Sequence, residues 1–286
     1  MHELLTVCIP TRNRPELLRE ALCSVLEKIN PRLRIVVGDN GGEAANRVAL
    51  ESVLCQFPLA RIEHMVNPPG STYVYNLQRL VDAVETPWLS ILHDDDFFVW
   101  IPATQLIEVF LSKGVQFVYS DHWLADNNGE LLREESEKCS MKYGRSGVAS
   151  GVVENLVLNA VRQNICLDGF FIKTDLAKSV RFDLSYKVFS DSKWLFQVAD
   201  LRPRSGYYFH EKVFAYRITA NSLTAQTLDR LEFMACLGRL RLDNAAADAA
   251  LRDRLRRLII PAAKQAICSG RIGGFSMALW AMRRPI

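Results

Sequence analysis

Residues 88–96 read Trp88-Leu89-Ser90-Ile91-Leu92-His93-Asp94-Asp95-Asp96. An uncharged, mostly apolar run is followed at once by a histidine and three carboxylates. A short continuous apolar run fits a strand buried on both faces, as in a parallel sheet with helices above and below it. Open α/β sheets bind ligands beyond the carboxyl ends of their strands, so the acids stand where a site belongs. Three adjacent carboxylates repel one another, a close pair by about 4 kcal/mol at an effective dielectric of about 20. A divalent cation cancels that repulsion, and hard oxygen donors suit Mg²⁺ or Mn²⁺. In an extended segment Asp94 and Asp96 point the same way, so the pair is expected to share one metal and its diphosphate. The competing reading is a hydrated acidic turn.

Upstream, strand and helix patterns alternate. Leu4 to Ile9 is an apolar run ended by Pro10. Pro15 and Glu16 open a helix with apolar residues at 17, 18, 21, 22, 25 and 26, a stripe with helical spacing. Arg34 to Asp39 is a second strand broken by Asn40-Gly41-Gly42, followed by a helix over about 44–56 and a short strand near 61–64. A loop at Asn67-Pro68-Pro69-Gly70 leads to a helix over about 72–84. Downstream, a helix near 102–112 and a strand at 117–120 continue the alternation. The pattern predicts a mostly parallel central sheet with helices on both faces. Residues 126–150 are polar and predict a mobile loop; strands are expected at 169–173 and, as one or two short pieces, at 207–217, with a helix at 190–201. From Gln226 the pattern is helical with Arg-rich faces.

The chain has 286 residues, 49% hydrophobic and 23% charged, enough for one large domain with an appendage and against disorder over most of its length. Seven cysteines include no Cys-x-x-Cys pair, which reads as buried thiols in a reducing compartment and gives no support to a zinc site. The N-terminus has no basic stretch followed by an apolar run, and the weakly polar stretch 273–282 is too short to span a bilayer, so a cytoplasmic protein is expected. The net charge of +3 is uneven: residues 226–286 hold eleven Lys/Arg against five Asp/Glu. A near-neutral body with a basic tail disfavours a nucleic-acid protein. The tail, densest in charge at 252–257, reads either as a solvated helical face or as a surface resting on anionic lipid at the inner face of a membrane.

Two other strand ends carry candidate residues. Pro10-Thr11-Arg12-Asn13-Arg14 offers backbone amides, a hydroxyl and guanidinium groups for a base or phosphates. Asp39 can accept hydrogen bonds from a nucleobase or ribose, although Asp-Asn-Gly is also an ordinary turn. No Gly-x-Gly-x-x-Gly or Gly-x-x-x-x-Gly-Lys-Ser/Thr lies nearby, which disfavours dinucleotide dehydrogenases and P-loop enzymes.

Over roughly residues 4–224 the chain resembles a family 2 glycosyltransferase of the GT-A fold. The resemblance rests on Pro10 to Arg14, on Asp39 ending the second strand, on Asn67 to Asn76, on Asp94-Asp95-Asp96 as the Asp-x-Asp metal motif, and on Ser190-Asp191 where relatives open a helix with Glu-Asp. It implies a GT-A domain at 1–224, with a nucleotide-binding half at about 1–121 and an acceptor half at about 122–224, followed by a basic helical region at 225–286. By the same resemblance Pro10, Thr11, Asn13, Arg14, Asp39, Asn67, Asn76, Asp94, Asp95 and Arg217 bind the nucleotide, Asp94 and Asp96 hold Mn²⁺ or Mg²⁺, and Asp191 is the catalytic base. The implied reaction inverts the anomeric carbon, moving a sugar from a UDP-, dTDP- or GDP-linked donor to a glycan or lipid-linked acceptor.

Three departures are visible. His93 replaces the first acid, Ser190 replaces Glu, and Thr219 stands where the later Tyr-Arg-x-His segment has its His, a role His210 is the nearest candidate to fill. They leave open a second reading, a non-catalytic nucleotide-sugar-binding protein of the same fold. A nucleotidyltransferase would show a Gly-rich basic loop after its first strand, and this chain does not. Asp191 is expected to be partly desolvated by Phe189 and Trp194, which would lift its pKa toward that of a base. Asp121-His122 reads as a solvated strand end, and Trp123, Trp194, Tyr207 and Tyr208 divide between core and acceptor stacking.

Overall fold

The computed structural model describes residues 4–28, 33–41, 44–100, 103–187, 189–218 and 229–283. Thr219 and the start of the expected 226–286 helical region lie outside them. Nine strands among the described residues form one sheet. They are β1 (Leu5–Thr11), β2 (Leu33–Asp39), β3 (Arg61–Val66), β4 (Trp88–Ile91), β5 (Phe97–Phe98), β6 (Phe117–Ala125), β7 (Gly151–Val153), β8 (Phe171–Lys173) and β9 (Gly206–Arg217).

The order is β3-β2-β1-β4-β8-β6-β9-β5, with β7 beside β9. The first four strands are parallel, as continuous apolar runs joined by helices require. Beyond β4 the sheet is mixed. β8 enters antiparallel to both β4 and β6, β6 and β9 are parallel, and β5 and β7 pair antiparallel with β9. The parallel character expected for the sheet is thus concentrated in its first half.

Alternation along each strand feeds two cores. Val7, Ile9, Ile35 and Val37 meet Leu18, Leu22, Val25, Leu50 and Val53 of the helices Pro15–Lys28 and Ala44–Gln56. Cys8, Val36, Leu89 and Ile91 join Leu77, Leu80, Val81 and Trp194 on the opposite face. That second core also takes in Leu231, Phe233, Met234, Leu251 and Leu255 from the helices Arg230–Gly238 and Ala245–Cys268.

Residues 126–150 are not one loop. They contain a helix at Arg133–Lys142, whose buried residues are Ser136 and Ser140. Ser136 Oγ donates to the Leu132 carbonyl, and Ser140 Oγ donates to Asp121 at 2.5 Å. A helix docked through serines has no apolar period, which is why the pattern read as a loop. A short helix at Leu156–Val161, N-capped by Asn155, was also absent from the expected elements. The last strand, expected as one or two short pieces, is a single twelve-residue element.

Two glycines admit close approaches that shape the ligand edge. A Cβ on Gly38 would fall 2.0 Å from Asn76 Oδ1, and Asn76 Nδ2 donates to the Gly38 carbonyl at 2.6 Å. Gly169 has φ +61°, and a Cβ there would lie 2.4 Å from the Phe214 ring. Gly169→Ala is therefore expected to cost about 2–4 kcal/mol from overpacking and left-handed backbone strain together. Urea unfolding would check this: an unchanged midpoint would mean that the loop relaxes freely.

Candidate active site

The acids after β4 do not continue in extended form. Asp96 N–H donates to the His93 carbonyl at 3.2 Å, closing a turn. The alternation expected to align Asp94 with Asp96 is therefore lost, and the two carboxylates take different partners. Asp94 Oδ2 accepts from Thr11 Oγ1 at 2.7 Å and from the Arg12 amide at 3.4 Å. Arg14 bridges Asp94 at 3.1 Å and Asp95 at 2.9 Å. Asp94 and Asp95 thus tie the acidic turn to the loop that leaves β1. Asn13 sits in that loop with φ +55°, and a Cβ on Gly41 would strike its side chain at 1.9 Å.

The neighbouring strand end is equally ordered. Asp39 is fully buried; its Oδ1 accepts from Gly41 N–H at 2.7 Å, and its Oδ2 meets His64 Nε2 at 3.1 Å. Asn67 Nδ2 donates to Asn40 Oδ1 at 2.9 Å and to Asn76 Oδ1 at 2.8 Å. Pro10, Thr11 and Asp39 stand side by side in the β1–β2 register, and Asp39 pairs with Val66 of β3 just before Asn67. The residues expected to hold a nucleotide therefore lie at one sheet edge.

Arg217 is buried and occupied. Its amide donates to Asp96 Oδ1 at 2.8 Å, its Nε to the Asp95 carbonyl at 2.8 Å and its NH1 to the Asn127 carbonyl at 3.0 Å, while NH2 pairs with Glu20 at 2.7 Å. Its guanidinium holds the turn instead of presenting itself to a ligand.

Asp96 points to a residue outside the motif. His93, Asp96 and Asp168 bring one potential ligand atom each to within 4.8 Å of one another. Asp96 and Asp168 are both buried, and Oδ2 of each accepts no well-directed hydrogen bond. Asp168 Oδ2 nevertheless contacts His93 Nδ1 at 2.5 Å, and Asp168 Oδ1 accepts from the His93 amide at 3.0 Å. The far side of the imidazole, Nε2, meets Tyr73 Oη at 2.7 Å.

The electrostatics follow from that packing. Burial pushes Asp96 well above the usual carboxylate range, and adjacent Asp168 adds to the push. Asp168 is itself deeply buried, yet His93 and the proton on Asp96 hold its pKa below the ordinary value. His93 rises to about 9 because Asp168 outweighs the cost of burying a charged ring. Two buried acids side by side, with an imidazole against one of them, offer an oxygen and nitrogen donor set that fits a divalent cation, which would replace the shared proton. Asp94 is outside this group.

Asp191 opens the helix Ser190–Leu201. Burial lifts its carboxyl to about 6, against the pull of the Ser192 amide and of His93. It lies within charge–charge range of both His93 and Tyr73. Trp194 is buried against Phe182, and Phe189 packs on Phe233. Ser190, where relatives have Glu, is buried and accepts from the Asp183 amide at 2.7 Å.

Asp168 and Tyr73 escaped the sequence reading. Asp168 precedes a glycine in a stretch without strand or helix period, where Asp-Gly reads as a turn. The signal present was an Asp one glycine ahead of the apolar run Phe170-Phe171-Ile172 that leads into β8. His210 lies elsewhere: it lines an open cavity of about 710 Å³ with Asp121, Arg145 and Lys212, and none of the group around Asp96 lines that cavity. Asp121 and His122 are buried rather than solvated, because β6 continues to Ala125 and Asp121 pairs with Arg145 at 2.7 Å. Trp194 and Tyr208 belong to the core, whereas Trp123 lies beneath the Lys212 and Arg133 cations.

Residues 6–143 match the family model described as glycosyl transferase family 2. This chain carries a family 2 glycosyltransferase domain. The glycosyltransferase has the fold of S. aureus TarS residues 1–349, solved in complex with UDP-GlcNAc, at 14% identity and a TM-score of 0.72, covering 98% of this chain and 81% of that one. The UDP complex of the same TarS fragment matches at 15% identity and a TM-score of 0.66, with 92% and 74% covered. Mannosyltransferase PcManGT from Pyrobaculum calidifontis, in complex with GDP-Man and Mn²⁺, matches at 14% identity and a TM-score of 0.57, with 99% and 86% covered. No curated protein sequence matches the chain. The family match stops before Asp168 and Asp191.

Proposed function

We propose that this glycosyltransferase moves a sugar from a nucleoside diphosphate donor to an acceptor hydroxyl in a single displacement that inverts the anomeric carbon. One observation carries the reading: Asp191, with its pKa lifted to about 6, lies within charge–charge range of His93, a member of the buried group His93, Asp96 and Asp168. A general base works best when its pKa lies near the operating pH.

In this reading Pro10, Thr11, Asn13, Arg14, Asp39, Asn67 and Asn76 bind the nucleotide. Asp94 and Asp95 fix Arg14 and the β1 loop around it. Mn²⁺ or Mg²⁺ would be held by Asp96 with Asp168 and His93, after His93 gives up its proton. When bound, the ion supplies positive charge to the departing diphosphate. Asp191 orients the acceptor hydroxyl and takes its proton, and the burial that raises its pKa keeps competing water from that carboxylate. Donors of the TarS and PcManGT complexes favour UDP- or GDP-linked sugars, with dTDP-sugars the remaining class. The acceptor is a glycan or lipid-linked glycan met at the inner face of a membrane.

The experiment is a panel of UDP-, dTDP- and GDP-sugars with Mn²⁺ or Mg²⁺, following nucleotide release with and without glycan acceptors. Metal-dependent release, accelerated by one acceptor, is the expected result. Tight donor binding with no turnover under any metal or acceptor would leave a nucleotide-sugar-binding protein instead, the reading that Ser190 in place of Glu favours.

A further inference from the structure

The helix Ala245–Cys268 has two distinct faces. It buries Ala247, Leu251, Leu255, Ala262 and Ala266. At the helical spacing of 3.6 residues per turn, the pole opposite that stripe falls on Arg257, Ile260, Lys264 and Ile267. Ile260 is 69% exposed and Ile267 70% exposed. Beyond the turn at Ser269–Gly270, Ile272 on the next helix, Ile272–Arg283, is 62% exposed. Helices that face only water keep their large aliphatic residues on the buried side. Here isoleucines occupy the outward pole as well.

The charges around them are one-sided. Arg256, Arg257, Lys264 and Arg271 are exposed. Asp253, the acid on this pole, is paired with Arg257, and Arg271 pairs with Asp229 across the turn. The basic run at 252–257 divides into two uses. Arg252 turns inward to the carbonyls of Gly238 and Leu240. Arg254 lies over the Phe233 ring and donates to the Val161 carbonyl at 3.2 Å. Those two hold the helix to the body of the enzyme, while Arg256 and Arg257 remain outside.

We propose that this face docks on an anionic lipid bilayer. Ile260, Ile267 and Ile272 enter the boundary of the acyl region, while Arg256, Arg257 and Lys264 stay level with the lipid phosphates. The contact is peripheral: among the described residues no helix is long and apolar enough to cross a membrane. A second copy of the chain fits less well, because a twofold contact through this pole would set its cations against one another. The surface stands apart from the donor reading, since lipid binding needs neither nucleotide nor metal.

The test is co-sedimentation of the full chain with vesicles of phosphatidylcholine alone, or of phosphatidylcholine mixed with phosphatidylglycerol. Binding is expected on the mixed vesicles, absent on the neutral ones and weakened by salt. Arg256→Gln/Arg257→Gln/Lys264→Gln should reduce it roughly a hundredfold, at about fivefold for each basic residue. Ile260→Ser/Ile267→Ser should reduce it by at least about tenfold. All five side chains are exposed or paired only with Asp253, so circular dichroism and donor affinity should match the unaltered protein. No binding to the mixed vesicles, or binding by both variants equal to that of the unaltered protein, overturns the proposal. A concentration-dependent dimer in sedimentation velocity that Ile260→Ser/Ile267→Ser dissolves, without vesicle binding, assigns the face to a second copy and overturns it too.

Discussion

Asp191→Asn is expected to lower kcat by about 10²–10⁴-fold, the usual contribution of general-base assistance, while leaving donor affinity unchanged. Asn keeps the shape and the hydrogen bond to the Ser192 amide but cannot take the acceptor's proton. In the unaltered enzyme kcat should fall as pH drops through about 6, where the carboxylate becomes protonated. The same shift has a consequence for stability. A carboxyl raised from 3.8 to about 6 destabilises the fold when ionised, by at most about 3 kcal/mol at about 1.4 kcal/mol per unit. That cost is full above pH 6 and gone below the ordinary carboxylate value. Asp191→Asn should therefore melt higher than the unaltered protein at neutral pH, and the difference should shrink to nothing on acidification. Normal transfer by the Asn variant would remove Asp191 from the base role, whatever the melting curves show.

The second large effect concerns Asp168, an acid outside the Asp-x-Asp motif. Asp168→Asn should weaken Mn²⁺ binding, read by paramagnetic resonance or calorimetry without donor, by roughly a hundredfold or more, at or beyond the upper limit for outer-shell partners. Asp96→Ala should weaken Mn²⁺ and donor together. Asp94→Asn separates the two ligand sets: its oxygens are engaged by Thr11, Arg12 and Arg14, so metal affinity should change little while the β1 loop loosens and donor binding falls. The opposite result, Mn²⁺ binding lost with Asp94→Asn and retained with Asp168→Asn, would return the metal to an Asp94–Asp96 pair. Circular dichroism of each variant guards the reading, because Asp168→Asn also deprives His93 of its counter-charge.

The first half of the fold was readable because its strands and helices obey simple periods. The runs ending at Thr11, Asp39 and Ile91 are continuous and apolar, and each is bounded by proline, glycine or charge. The second half hides its order in polar contacts. The helix Arg133–Lys142 docks through serines onto Asp121, and β9 passes through a bulged register beside β6. At the site, residue types and rough positions were legible, but partners were not. Alternation placed Asp94 and Asp96 together, whereas a turn at 93–96 parted them. Asp168 reaches His93 from a loop more than seventy residues away, a distance no local pattern spans.

The helix Ser190–Leu201, with Asp191 in its first turn, does not rest on the sheet alone. Cys236 Sγ donates to the Phe189 carbonyl at 3.4 Å, Glu232 accepts from the Lys187 amide, and Asp200 accepts from Asn244 N–H at 3.0 Å. The burial that raises this carboxyl's proton affinity thus depends in part on contacts from the helix Arg230–Gly238 and from the turn that leads into the helix Ala245–Cys268. With Asp191 as the proposed base, substitutions in that segment would retune its proton affinity without touching the residues around Asp39, so turnover and donor choice would be open to separate adjustment by selection.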